Sequence, residues 1–151
     1  MLLFLLSANP IGDAMNNTEW AFPLCECIHI IAFALSIGTV ALVDFRMLGW
    51  AMPKTSAAQL YQDTRMWTMA GLTVMLISGP LIFISDPVMY LHNQGFRFKM
   101  GALVLAIIYN YTIHAKVAKT VPAPSSAKLV GAVSLLLWVS VVAGGLFIAF
   151  V

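Results

Sequence analysis

Polar side chains that could bind a metal or carry a proton lie along one face of each of two apolar segments. The first polar seam, within residues 21–48, consists of Glu26, His29, Phe33, Ser36, Val40 and Asp44. The second, within residues 97–117, consists of Lys99, Leu103, Ala106, Asn110 and His114. Each set falls within a sector of about 80° when every residue turns a helix by about 100°. Because ionisable side chains are costly in lipid and usually face a bundle interior, the two seams are predicted to face each other.

The outer part of the seams predicts a ligand site. A rise of about 1.5 Å per residue places His29 roughly 10 Å below one membrane boundary and Lys99 near that boundary. Imidazole is a common donor to iron and copper, so His29 is a predicted axial ligand of haem iron or a metal ligand. The alternative is a histidine that is satisfied by Glu26 or by a backbone carbonyl.

Glu26, two cationic residues and a methionine accompany His29 in a predicted outer cluster that binds the cofactor. Arg97 and Lys99 either extend their charges to the interface or clamp the propionates of a haem. Lys99 could instead supply an amine ligand to the iron, and Met100 a thioether ligand.

A predicted inner polar cluster consists of Asp44, Arg46, Asn110 and His114. His114 should lie roughly 25 Å below the outer boundary, level with Asp44 and Arg46. His29 and His114 are then about 15 Å apart along the membrane normal, which is too far for both to ligate one iron. A haem held by both histidines is therefore not expected.

The two cysteines suggest a further metal site. Thiolates suit copper and zinc, but only Cys25 shares a helix face with His29, and Cys27 points roughly 160° away from Cys25. A compact three-ligand site is therefore not expected. The sequence has no nucleophile elbow, phosphate loop or zinc-protease helix, so it gives no support for hydrolytic catalysis. It also has no basic patch interleaved with aromatic residues, so nucleic acid is not an expected partner.

Composition determines the fold class. The chain has 151 residues, of which 61% are hydrophobic and 9% charged, whereas about a quarter of residues are charged in soluble proteins. We predict an all-α integral membrane four-helix bundle, up-down-up-down, in a single domain that contacts the lipid bilayer. The predicted spans are residues 21–48, 66–88, 97–117 and 128–150. Residues 1–20, which include Trp20, are predicted to form an interfacial segment.

The distribution of basic residues predicts the orientation. Six of them flank the loops after the first and third spans: Arg46, Lys54, Arg65, Lys116, Lys119 and Lys128. Only Arg97 and Lys99 flank the loop after the second span. The positive-inside rule therefore predicts that both termini lie outside.

The string ECIHIIAFALSIGTVALVDFRMLG, residues 26–49, resembles the signature of a bacterial family of small four-helix membrane proteins of unassigned function. The resemblance implies a bacterial inner (cytoplasmic) membrane protein. The pattern Glu-x-x-His, a mid-helix glycine and Asp-x-Arg-x-Leu-Gly match Glu26, His29, Gly38, Asp44, Arg46, Leu48 and Gly49. Downstream matches are Trp67, Gly71, Gly79, Phe83, Asp86, Asn93, Phe96, Lys99, Asn110 and His114. Cys25, Cys27 and Pro80 lie outside the pattern.

A first-helix histidine followed later by Asn-x-x-Phe-x-x-Lys, here ending at Lys99, also distantly resembles two other groups. These are the haem-dependent membrane protoporphyrinogen oxidases and the copper-resistance membrane proteins. Similarity to the oxidases implies haem b on His29, with Lys99 as a second ligand. The leading hypothesis is a haem-b-binding, cytochrome-like membrane subunit that transfers electrons with other membrane or periplasmic redox subunits. The alternatives are a non-haem structural or accessory subunit, whose polar seams serve helix association, and a copper-handling membrane protein.

Overall fold

The computed structural model describes residues 9–150, and within them the chain is helical with no strand. The helices are α1 (Pro10–Asn17), α2 (Ala21–Leu48), α3 (Ala57–Ser85), α4 (Pro87–His92), α5 (Gln94–Tyr109), α6 (Ala115–Ala118) and α7 (Ala127–Phe147). A π-helical turn, Asn110–His114, joins α5 to α6.

Four stretches of the described chain are long and apolar enough to cross a membrane. They are Ala21–Leu48, Ala57–Ser85, Gln94–Ala118 and Ala127–Phe147, and we call them the first to fourth spans. This result confirms a membrane-like all-α chain with four such helices. Their arrangement relative to a membrane, including which end faces outside, stays a prediction.

The second span differs most from its predicted bounds of 66–88. Its helix begins nine residues earlier, at Ala57, because the Ser56 side chain caps it and accepts a hydrogen bond from the Gln59 N–H at 3.1 Å. It ends at Ser85 because Asp86 caps the separate helix α4, which begins at Pro87. Hydropathy detected only the apolar part of a helix whose first turns are polar.

Side-chain contacts give the register of the helices. Thr39 and Thr68 share a hydrogen bond of 2.8 Å between the first and second spans, and His29 bonds Ser78 further along the same pair. The residue numbers of the bonded partners increase along the first span and decrease along the second, so the two spans are antiparallel. The third and fourth spans are antiparallel too: Asn93 reaches Ile148, and Tyr109 reaches Val130. The first span also packs against the fourth.

Helix α1 is docked onto the end of the second span. The amide of Asn9 donates to the Ile84 carbonyl at 3.3 Å, and that of Asn16 donates to the Ser85 carbonyl at 2.8 Å. This helix occupies part of the predicted interfacial segment 1–20. Residues 1–8 of that segment lie outside the described residues.

Candidate functional site

A buried carboxylate joins three of the four spans. Asp44 in the first span accepts a hydrogen bond at Oδ1 from Nε2 of His114 at 2.6 Å. Its Oδ2 accepts another from the hydroxyl of Ser134, in the fourth span, at 2.8 Å. Each of these three side chains, which we call the Asp44 network, is at most 1% exposed. Both carboxylate oxygens are therefore satisfied by side chains from other helices, as a charged group away from water requires.

Glycine at position 131 permits the fourth span to approach Asp44. A Cβ atom there would lie 3.2 Å from the Asp44 carbonyl oxygen and 3.2 Å from the Cβ of Met47. The close crossing places Ser134, one turn later, within reach of the carboxylate. Sequence reasoning did not include Ser134 in the predicted inner cluster, because one serine in an apolar helix has an equally ordinary role in bonding its own backbone.

A cleft of about 250 Å³ lies beside the Asp44 network. Its lining comes from the first span, the second span and the π-helical turn: Thr39, Val40, Val43, Tyr61, Thr64, Arg65, Thr68, Met69, Asn110, Tyr111 and His114. Within the described chain, neither Nδ1 of His114 nor Oδ1 of Asn110 has a hydrogen-bond partner, although both atoms are buried. Buried polar groups without partners are uncommon and call for an explanation.

The π-helical turn sets the positions of Asn110 and His114. Such turns are rare, and they often occur at functional sites because the extra residue redirects the side chains around them. Here both buried polar residues of the turn, which belong to the predicted inner cluster, line the cleft. The hydrophobic pattern of the third span gave no sign of the turn, since one inserted residue alters the helical period only locally.

Arg46 lies apart from the Asp44 network, contrary to its predicted place in the inner cluster. Its Nε donates to the backbone carbonyl of Thr55, in the connection between the first and second spans. Two residues after Asp44, Arg46 is turned about 160° away from it around the helix. The first span ends two residues later, and Gly49 follows it in a left-handed conformation with φ of 82°.

His29 is half-buried between the first and second spans, where it contacts Ser78. The Ser78 hydroxyl donates its single proton to the Val74 carbonyl at 2.8 Å. Its oxygen therefore accepts from Nδ1–H of His29, also at 2.8 Å, so that Nε2 of His29 keeps its lone pair. A Cβ atom at Gly79 would lie 3.4 Å from Cε1 of His29, so the imidazole lies against this glycine.

Lys99 extends between the first and fourth spans. Its ammonium group lies 5.7 Å from the centroid of the Phe33 ring, which is one turn after His29 on the same face. No carboxylate among residues 9–150 forms an ion pair with it. A Cβ atom at Gly144 would lie 3.0 Å from the backbone and Cβ of Lys99, so the fourth span fixes the start of this side chain. His29, Ser78, Phe33 and Lys99 form what we call the His29 site.

The other members of the predicted outer cluster lie at the surface of the chain. Glu26, Arg97 and Met100 are all exposed, and no hydrogen bond or ion pair within residues 9–150 joins Glu26 or Arg97 to His29 or Lys99. Glu26 instead acts on Tyr90: burial raises the pKa of this phenol above its ordinary value, and the nearby charges of Glu26 and Asp86 raise it further. Roles for Arg97 and Met100 in binding a ligand stay predictions.

The cysteines do not complete a metal-binding group in the described chain. Within residues 9–150, no group of three or more histidine, cysteine, aspartate or glutamate side chains is arranged to hold a metal ion. Cys25 and Cys27 are free, and the thiol of Cys25 reaches the Ser78 carbonyl at 3.9 Å. A haem differs from a metal ion in this respect, because a single axial side chain can hold its iron.

A family model matches residues 11–151, and its description is a family of unknown function, DUF6644. The chain belongs to this family, since the match covers nearly all of it. This agrees with the resemblance to a membrane protein family of unassigned function. No curated protein and no solved structure matches the chain. The more distant resemblances to protoporphyrinogen oxidases and copper-resistance proteins therefore stay predictions.

Proposed function

We propose that this member of DUF6644 is a haem-b-binding membrane subunit that takes part in electron transfer, with His29 as an axial ligand. The observation that carries the proposal is the hydrogen bond from Nδ1–H of His29 to Ser78. Histidine ligands commonly donate one ring N–H to a fixed acceptor, which orients the ring and leaves the other nitrogen free to bind the metal. His29 has this arrangement within a span, where an unneeded imidazole is costly.

The surroundings of His29 fit the same group. Gly79 accommodates the imidazole, which lies against it, and Phe33 provides an aromatic surface one turn away. Lys99 brings an amine with no carboxylate partner among the described residues to this region, where it could serve as a second ligand or pair with an acidic group of the haem. When bound, haem b supplies reversible one-electron exchange, and the protein adjusts its potential through ligand identity and burial.

A reduced-minus-oxidised visible spectrum of the detergent-purified protein tests the proposal. We expect Soret and alpha bands of a b-type haem in the wild type and their loss in His29→Ala. His92→Ala is the matched control, because His92 is exposed and, within residues 9–150, its ring bonds only the Val88 carbonyl of its own helix, at 2.8 Å. A wild type that shows no bands, even after titration with haemin, would rule out the haem.

Ser78→Ala examines the positioning of the ligand. This change keeps His29 but removes the acceptor for its Nδ1–H, so we expect the haem to stay and its reduction potential to change. If the bands instead survive in His29→Ala and disappear in a His114 variant, the protein binds haem but the ligand assignment is wrong.

The second candidate is a structural or accessory subunit of a membrane complex, favoured by the Asp44 network. Side-chain hydrogen bonds of that network join the first, third and fourth spans. Such interhelical hydrogen bonds help helices to associate in lipid. Native mass spectrometry of the protein extracted from its own membrane tests this candidate. A stable complex with other subunits, together with a spectrum free of haem bands, would favour it.

A further inference from the structure

The cleft beside the Asp44 network has the features of a ligand site separate from His29. Fifteen residues separate His29 from Asp44 on one helix, which is about 22 Å along its axis. The volume of the cleft, about 250 Å³, is near the lower end for small-molecule pockets, which is about 300 Å³. A single substituted ring fits such a volume, whereas a haem does not.

The bonds of the Asp44 network leave one ring nitrogen of His114 for a ligand. Nε2 lies 2.6 Å from Oδ1 of Asp44, and both side chains are almost fully buried. Nδ1 is therefore the ring nitrogen that remains. An imidazole nitrogen donates a hydrogen bond when it carries a proton and accepts one when it does not.

Nδ1 of His114 therefore has no hydrogen-bond partner in the described chain, although it is buried. Asn110, on the same π-helical turn, adds an amide oxygen that also lacks a partner and needs a donor. A ring hydroxyl of a ligand can bond an imidazole nitrogen in either form, and it can donate to the oxygen of Asn110. A ligand that pairs these groups removes the free-energy cost of leaving them unsatisfied, so it binds more tightly than a ligand of the same shape without such groups.

The lining of the cleft indicates an amphipathic ligand. The second and third spans make few close contacts with each other, and residues of both spans line the cleft together with residues of the first span. Arg65 and Met69 are both exposed and lie one turn apart in this lining. The apolar part of the second span begins between them. A polar ring can therefore enter at the membrane boundary while an apolar tail remains in lipid.

We propose that this cleft binds the head group of a membrane-soluble quinol, with its ring hydroxyls bonding Nδ1 of His114 and donating to Oδ1 of Asn110. The proposal does not depend on haem, because none of the residues that carry it belongs to the His29 site. Benzoquinol and naphthoquinol rings share the required hydroxyls, and the experiment distinguishes between them.

Isothermal titration of the purified protein in detergent under reducing conditions tests the proposal with two probes, a benzoquinol and a naphthoquinol that each carry a ten-carbon tail. Thr64→Phe should fill the cleft, because Thr64 lines it and, within residues 9–150, its side chain bonds the Leu60 carbonyl of its own helix. Met66→Phe is the matched control, since Met66 is 67% exposed nearby on the same helix. We expect Thr64→Phe to raise the Kd at least about tenfold and Met66→Phe to leave it within about twofold.

Asn110→Leu and His29→Ala complete the experiment. Asn110→Leu keeps the approximate size of the side chain but removes the oxygen that accepts from a ring hydroxyl, so it should weaken quinol binding about fivefold or more. His29→Ala should bind the quinol like the wild type, whatever its haem content. A ten-carbon alcohol is the tail control. Absence of quinol binding, equal binding by Thr64→Phe, or equal heat from the alcohol would each overturn the proposal, the last by identifying a general lipid groove.

Discussion

Alanine in place of two glycines in neighbouring spans should have opposite effects on stability. Gly71 lies where the second span crosses the first: a Cβ atom there would be 2.6 Å from the Ala32 carbonyl oxygen and 2.9 Å from the Ser36 nitrogen. Gly38, in the first span, has no atom within 4 Å of an added Cβ outside its own helix. The two substitutions are chemically identical, so the difference between their effects on the free energy of unfolding reports the close contact at the helix crossing.

The magnitude follows from the distances. Ordinary contact begins near 3.4 Å, so the helices must separate by roughly 0.8 Å where Gly71→Ala is made. Such a gap forfeits about a quarter to a half of each dispersion contact nearby, and overpacking typically costs about 1–3 kcal/mol. Alanine also gains about 1 kcal/mol over glycine within a helix. The contact with backbone at 2.6 Å places Gly71→Ala at the upper end of that cost, so after the gain is subtracted we expect it to lower the free energy of unfolding by about 1–2 kcal/mol. We expect Gly38→Ala to raise the free energy of unfolding by up to about 1 kcal/mol.

Reversible unfolding in detergent micelles, followed by steric trapping, measures both free energies against the wild type. Gly71→Ala should also weaken the His29–Ser78 bond, because Ser78 lies two turns from Gly71 on the same face. A Gly71→Ala protein as stable as Gly38→Ala would refute the reasoning, since it would mean that the crossing is looser than the structure shows.

Three further pairs of variants test other contacts by the same measurement. Ser134→Ala should cost about 1.5–3 kcal/mol because it leaves a buried carboxylate oxygen unsatisfied, whereas Ser140→Ala, which loses a bond only to its own helix, should stay within about 0.5 kcal/mol of the wild type. Gly144→Ala should destabilise by about 1–3 kcal/mol because its Cβ would meet the backbone of Lys99, whereas Gly101→Ala has open space and should not. Asn93→Ala should cost about 1–2 kcal/mol, since Asn93 caps α5 and donates to the Ile148 carbonyl at 2.9 Å, and exposed Gln94→Ala should be near neutral. Equal stabilities within any pair would contradict the contact that it tests.

Several residues of the family pattern have structural roles that explain their types. Gly71 allows the first two spans to cross closely, Asp86 and Asn93 cap helices, and Gly49 ends the first span with a positive φ. His29, Asp44 and His114 differ from these because their side chains hold polar bonds within the spans. These three are therefore the strongest guides to function.

The amino-acid sequence by itself determined the fold class and the faces of the helices. Four long apolar segments with few charges are expected to form helices, because a helix satisfies its own backbone hydrogen bonds in lipid. The period of about 3.6 residues then determines which side chains share a face. For this reason Asp44 and His114 were correctly predicted to lie near each other, and His29 was predicted to share a region with Lys99.

Only the tertiary structure decided which polar groups form bonds and which remain without partners. The helical period gives directions around one axis, whereas bonds depend on how closely two axes approach, and glycines such as Gly71, Gly131 and Gly144 set those distances. Ser134 joined the Asp44 network and Arg46 left it for this reason. The cleft likewise combines residues of a π-helical turn with residues of the first and second spans, which are brought together by packing between segments that are distant in the sequence.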